Sequence, residues 1–225
     1  MSNNHHPDEA TLLSYAAGVL PESFDILLAC HLRECGHCRA GVAEAEQLGG
    51  LLLEAIEPVT VHNWAGELGL LETEPQLLCN PRPDQICVPL PELSDPTQRQ
   101  QPLPAPLQQL LTQGDTDLPW RWLAPGIKQI RLVTADAGLR LLKIAPGVSI
   151  PRHSHQGSEL TLILQGAYRD EQGHFRPGDL SDAAPELEHQ PVAEGPDPCI
   201  CLVATDAPLR YRSLIARLLQ PLTGL

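Results

Sequence analysis

Nine prolines fall between Pro75 and Pro106, and that density rules out helices and interior strands, because each proline fixes φ and removes a backbone donor. Residues 72–106 therefore read as an extended linker that still carries apolar patches, Leu77-Leu78 and Ile86-Cys87-Val88. The stretch also separates two textures. Apolar residues before it repeat with the period of a helix, and those after Leu107 with the period of strands. An α+β chain of two domains follows, with a helical part over residues 1–71 and a sheet part over residues 107–225. With 225 residues, 42% of them hydrophobic and only 4% aromatic, both cores must be built from Leu, Val, Ala and Ile.

The helical part reads as three helices. Asp8 caps the first, Glu9 complements its dipole, and Leu12, Leu13, Tyr15, Ala16 and Leu20 give it an apolar face. Gly18 weakens its last turn and Pro21 ends it. The second runs from Glu22 to Glu34 with Phe24, Leu27, Leu28 and His31. The third runs from Cys35 to about Ile56 with Val42, Ala45, Leu48, Leu51, Leu52 and Ile56, and Gly49-Gly50 is expected to kink or loosen it. Leu68, Leu70 and Leu71 mark the start of a fourth.

His31-x3-Cys35-x2-Cys38 bridges the second and third helices. On helical spacing the imidazole and the first thiol share a face, and the second thiol follows one turn on. Imidazole nitrogen and thiolate sulfur suit tetrahedral zinc, and a closed structural site needs a fourth ligand. His5 and His6 are the candidates, with His37 inside the cluster a further one. About sixty residues of short helices make a thin core, so a structural metal is physically reasonable, and its binding couples to folding.

Charge narrows the partners. The net charge is −13, and residues 1–70 hold ten acidic residues against Arg33 and Arg39 alone. Such a surface repels DNA and anionic lipid and suits a basic protein, such as one that itself binds nucleic acid. The polar opening from Met1 to Asp8 and the lack of a membrane-length apolar run point to the cytoplasm. There the seven cysteines are expected to be reduced, available to metal rather than to disulfides.

In the sheet part, Trp120-Arg121-Trp122, Lys128–Thr134, Leu139–Ile144, Leu160–Leu164 and Cys199–Ala204 read as strands separated by Gly, Pro and Asp turns. Many short strands argue for a sandwich or barrel, and Ser213–Leu219 reads as a closing helix. His153 and His155 share one side of a strand, and Glu159 returns after a turn at Gly157. Two imidazoles and a carboxylate from one hairpin can hold a divalent ion, with His189 as a possible fourth ligand. Cys199 and Cys201 alternate on one strand face, where oxidation sensing and simple burial are both open.

Gly147-x5-His153-x-His155-x3-Glu159-x6-Gly166 is similar at every spacing to the first motif of the cupins, and Pro177-Gly178 resembles the core of their second. His189 departs from that second motif: it falls ten residues after Asp179, and no asparagine follows it. An acidic helical module with His-x3-Cys-x2-Cys ahead of a cupin resembles the ChrR-type zinc-binding anti-sigma factors over nearly the whole chain. His6-Pro7, Leu12-Leu13-Ser14-Tyr15-Ala16-Ala17-Gly18, Pro21-Glu22 and His31/Cys35/Cys38 carry the N-terminal likeness.

The resemblance implies a small all-α zinc-binding bundle joined to a cupin β-barrel, a double-stranded β-helix. It implies zinc on His6, His31, Cys35 and Cys38, and a divalent metal, expected to be zinc, on His153, His155, Glu159 and His189. The implied partner is an extracytoplasmic-function sigma factor of the sigma-E type, kept from core RNA polymerase and released under oxidative stress such as singlet oxygen through the cupin. On this reading there is no catalysis, no direct nucleic-acid contact and no membrane. The alternative is a metal-dependent cupin enzyme of dioxygenase or isomerase type with an accessory zinc module. Arg140, Arg152 and Arg169 are scattered in the sequence and form no substrate-binding cluster there.

Overall fold

The computed structural model describes residues 5–57, 105–115, 117–136, 138–184 and 186–211. Helix α1 spans Glu9–Ala16, α2 Glu22–Glu34, α3 Gly36–Glu54 and α4 Ala105–Gln113. Asp8 caps α1 as expected, its Oδ1 accepting from the Thr11 amide at 2.6 Å. The chain leaves α1 through Gly18, at φ 69°, and Pro21 becomes the N-cap of α2. Helix α4 begins two residues ahead of the expected start of the sheet part at 107, and Pro106 in its first turn is tolerated because that amide has no helical acceptor.

Two features of α3 differ from the sequence expectation. The helix runs unbroken through Gly49-Gly50, where added Cβ atoms would meet nothing within 4 Å. Of its expected apolar face only Val42 is buried. Leu48, Leu51, Leu52 and Ile56 are 51%, 65%, 61% and 64% exposed. The reason is length: α1 has 8 residues against the 19 of α3 and covers only its first half.

Among the described residues eleven strands follow. They are β1 Arg121–Ala124, β2 Ile127–Arg131, β3 Leu139–Ile144, β4 His153–His155, β5 Glu159–Gln165 and β6 Ala167–Asp170. The last five are β7 Gly173–Phe175, β8 Leu180–Ala183, β9 Val192–Glu194, β10 Cys199–Thr205 and β11 Leu209–Tyr211. The large sheet has the order β1-β2-β3-β10-β5-β8, and the smaller ones are β7-β6-β9 and β11-β4. All pairings are antiparallel. Gly166, the last residue of the cupin-like motif, sits at φ 69°. A Cβ there would stand 2.5 Å from the Pro198 carbonyl oxygen, so only glycine permits this approach.

The near-continuous apolar runs of β3, β5 and β10 have a structural cause: both faces of the large sheet are covered. Along β10, Cys199, Cys201 and Val203 point into the barrel with Ile127, Leu142, Ile144 and Ile163. Ile200, Leu202 and Ala204 point outward into a core shared with Phe24, Leu27, Leu28 and Leu32 of α2 and with Leu107 and Leu110 of α4. The helices thus pack directly on the sheet. Ser23, beside the N-terminus of α2, donates from its amide and its hydroxyl to Asp136 Oδ2 at 3.0 and 2.6 Å. No helix among the described residues is long and apolar enough to cross a membrane. The expected fourth helix near Leu68–Leu71, the linker body and the closing helix at Ser213–Leu219 lie outside the described residues.

Candidate metal centres

The first cluster forms where α2 meets α3. Cys35 is the residue between them, in extended conformation, and its Sγ caps α3 by accepting from the Cys38 amide at 3.4 Å. Arg39 locks the elbow by donating to the Leu32 and Arg33 carbonyls at 2.6 and 3.1 Å, which closes the end of α2.

His31 Nδ1 lies 3.0 Å from the carbonyl oxygen of Gly178, in the turn before β8. A carbonyl only accepts, so Nδ1 carries the proton and Nε2 presents its lone pair. That Nε2 is 3.3 Å from Cys38 Sγ. His6 Nδ1 stands 3.4 Å from Cys35 Sγ and 3.3 Å from Cys38 Sγ. Bonds of 2.0–2.3 Å to a tetrahedral zinc imply donor–donor edges of about 3.3–3.8 Å, and these separations match. Ligand atoms of His6, His31, Cys35 and Cys38 all lie within 4.8 Å of one another. Burial holds His31 neutral by lowering it to about 4. Burial, with Cys35 beside it, pushes the Cys38 thiol up to about 12. A divalent ion reverses that preference, so two imidazoles and two thiols at this spacing fit a soft or borderline metal.

Between the two N-terminal histidines the geometry chooses. The His5 ring lies on Phe175, centroids 4.2 Å apart, with Nδ1 3.6 Å from Asp179 Oδ2. Its backbone joins the barrel edge: the Leu180 amide donates to the His5 carbonyl at 3.2 Å. Asp182 Oδ2 then accepts from the Asp8 amide and the Thr11 hydroxyl at 3.2 and 2.9 Å. The segment that carries His6 is therefore held by β8 of the barrel. His37 is exposed, with its ring 4.9 Å from the His6 ring, and it is not among the four clustered ligand residues.

The second cluster lies inside the barrel. His153 and His155 alternate on β4, Glu159 opens β5, and His189 pairs with His153 through an isolated bridge with amide–carbonyl distances of 3.1 and 3.0 Å. That bridge overcomes the long sequence gap before His189. His189 Nε2 is 3.1 Å from His153 Nε2 and 3.2 Å from His155 Nε2. The outward nitrogens are engaged: His153 Nδ1 donates to the Pro151 carbonyl at 2.8 Å, and His189 Nδ1 to Asp170 Oδ2 at 2.8 Å. Such partners orient ligand imidazoles and raise their basicity.

His155 Nδ1 is buried without a hydrogen-bond partner, 3.6 Å from Glu159 Oε2. Burial, then His189, lowers His153 to about 3 and His155 to about 4. Burial raises the Glu159 carboxyl. Three imidazoles gathered around one carboxyl group fit a first-row divalent ion and not the oxygen-seeking Ca²⁺ or Mg²⁺.

Sequence reasoning missed the Gly178 carbonyl, Asp170 and the Asp179–Asp182 edge. The Pro177-Gly178 turn was visible, but its contact with His31 spans 147 residues. No spacing marks Asp170, which lies 19 residues before His189.

A sequence profile of the ChrR cupin-like domain matches residues 108–208. Over 223 residues the chain is 41% identical to the anti-sigma-E factor ChrR of Cereibacter sphaeroides, covering 98% of each. It belongs to the ChrR family. The crystal structure of Rhodobacter sphaeroides SigE in complex with the anti-sigma ChrR is similar to this fold, at a TM-score of 0.66 and 38% identity. The match covers 91% of this chain and 100% of that one. The relative matched end to end is thus named as an anti-sigma-E factor.

Proposed function

We propose that this chain is an anti-sigma factor and not an enzyme, and that it sequesters a sigma factor of the SigE type. The observation that carries the reading is end-to-end likeness to an anti-sigma-E factor in a chain whose helical part keeps a complete His2Cys2 cluster. The division into a helical domain over 1–71, a linker over 72–106 and a cupin over 107–225 belongs to this proposal. So does zinc on His6, His31, Cys35 and Cys38, where it would hold α2, α3 and the N-terminal segment in one arrangement. A divalent metal on His153, His155, Glu159 and His189, with zinc the favoured ion, would do the same for the barrel hairpins.

Two surface properties support protein capture. The first 70 residues are strongly acidic, which suits a basic nucleic-acid-binding partner. The far half of α3 presents exposed Leu48, Leu51, Leu52, Leu53 and Ile56, and apolar surface of this kind marks interaction sites. The cupin is assigned the reception of an oxidative signal, such as singlet oxygen, that ends sequestration in the cytoplasm.

The test is co-expression of the full chain with SigE-type sigma factors of the same genome. A one-to-one complex that carries zinc and dissolves with a chelator is expected. Normal sigma capture by a zinc-free Cys35→Ala variant would overturn the role given to the cluster.

A further inference from the structure

Asp179 is a buried carboxylate at the point where the barrel meets the helical part. It is 3% exposed, and a carboxylate taken out of water persists where donors meet its oxygens. Here the two oxygens serve different partners. Oδ2 accepts from the Arg176 amide at 2.9 Å, within the barrel. Oδ1 accepts from the His5 amide at 3.4 Å, across 174 residues of sequence.

The first contact shapes a turn. The Asp179 amide donates to the Arg176 carbonyl at 2.9 Å, so Pro177 and Gly178 are the central pair of a β-turn. Gly178, at φ 91°, has the left-handed conformation that a type II turn gives its third residue. The turn is pinned to β5, where the Gly178 amide donates to the Ile163 carbonyl at 2.9 Å and the Ile163 amide to the Asp179 carbonyl at 3.1 Å. What it presents to α2 is the Gly178 carbonyl, which holds His31 Nδ1 at 3.0 Å. The second contact, together with the Leu180 amide on the His5 carbonyl at 3.2 Å, fixes the residue before His6. The charge of Asp179 works in the same sense. Against the burial that lowers His31, it favours positive charge on that ring, as an outer carboxylate does for a ligand imidazole.

We propose that Asp179 is the positioning residue of the helical metal centre, placing His31 through the Gly178 carbonyl and His6 through the His5 backbone. The barrel thereby sets the geometry of a site to which it gives no ligand, and a shift of this one turn moves both imidazoles together. The inference rests on the reading that His6, His31, Cys35 and Cys38 hold a metal.

The test uses the full-length protein titrated with Co²⁺ in competition with a chelator. Thiolate-to-cobalt charge-transfer absorption reports the helical cluster, because the four side chains of the barrel cluster include no thiol. Asp179→Asn keeps the shape but turns an NH2 group toward one of the two amides. It is expected to weaken the helical site about 10- to 100-fold, while the barrel site, read from total bound metal, is unchanged. Gly178→Ala, strained at its positive φ with every carboxylate in place, is expected to weaken the same site selectively. Wild-type affinity at the helical site in either variant would overturn the proposal. So would an equal fall at the barrel site, which would mark Asp179 as a residue of the barrel's fold alone. A wild-type chain without the thiolate band would overturn the metal reading and the proposal with it, whereas the band in wild type with unchanged variants overturns the proposal alone. Sigma capture by Asp179→Asn at saturating metal is expected to be normal, so the anti-sigma reading is judged by a separate assay.

Discussion

The helical cluster takes three side chains from the eight residues His31–Cys38 and its fourth from His6, 25 residues upstream, while the barrel cluster takes three from His153–Glu159 and its fourth from His189, 30 residues downstream. Their supports differ. The barrel cluster is oriented from within the barrel, by Pro151, Asp170 and the paired backbones of His153 and His189. The helical cluster leans on the other part of the chain. The Gly178 carbonyl orients His31, and the barrel edge at Asp179, Leu180 and Asp182 holds the segment containing His6. A sheet can orient its own ligands through regular pairing, whereas three short helices recruit a neighbour. The direction of that dependence gives the cupin a physical route to the helical part.

The comparison breaks first at the thiols. If the helical cluster holds the structural zinc proposed for it, Cys38→Ser is expected to abolish metal binding there and melt α1–α3, since structural zinc supplies about 10–16 kcal/mol in small zinc domains. His189→Ala should empty the barrel centre and leave the helices folded. Metal content per chain and the helical circular dichroism of the two variants check this, and helices intact in metal-depleted Cys38→Ser would remove the asymmetry. Next comes Asp170→Asn, which keeps the shape beside His189 but loses the charge. Barrel metal affinity should fall about 10- to 100-fold, with the helical centre unchanged, by competition against a chelator.

The smallest effect lies at the seam. Burial raises the Asp136 carboxyl, but the hydrogen bonds from Ser23, Thr134 and Gly138 outweigh it and hold the group below its usual value. A depressed folded pKa means stability that is present above the unfolded value of about 3.9 and lost as pH falls through the folded one. Asp136 is exposed, so solvent screening limits the contribution to about 1 kcal/mol. Asp136→Asn should lower the thermal midpoint slightly at neutral pH and converge with wild type in acid. Parallel curves across that range would show that the carboxylate does not tie α2 to the sheet.

Much of this was legible in the residues. The bounds of α2 and β3, the Asp8 cap and the proximity of six of the eight metal-site side chains follow from local periodicity and spacing, which act over a few residues. His6 stood beside His5 as a candidate and His189 as an optional fourth ligand until the family resemblance chose them, because nothing within short range distinguishes them from His5 or from another loop histidine. The mistaken apolar face of α3 shows the limit of periodicity: a stripe marks what can be buried, and only the length of the neighbouring helix decides what is. The sequence by itself determined which elements form and which ligand types cluster, since both depend on near neighbours. Tertiary structure alone decided that the helices dock on the sheet, that Gly178 turns His31, and that His189 meets His153 and His155 inside the barrel. Those contacts join segments far apart along the chain, and no local pattern encodes which distant backbone atom or cavity a side chain will meet.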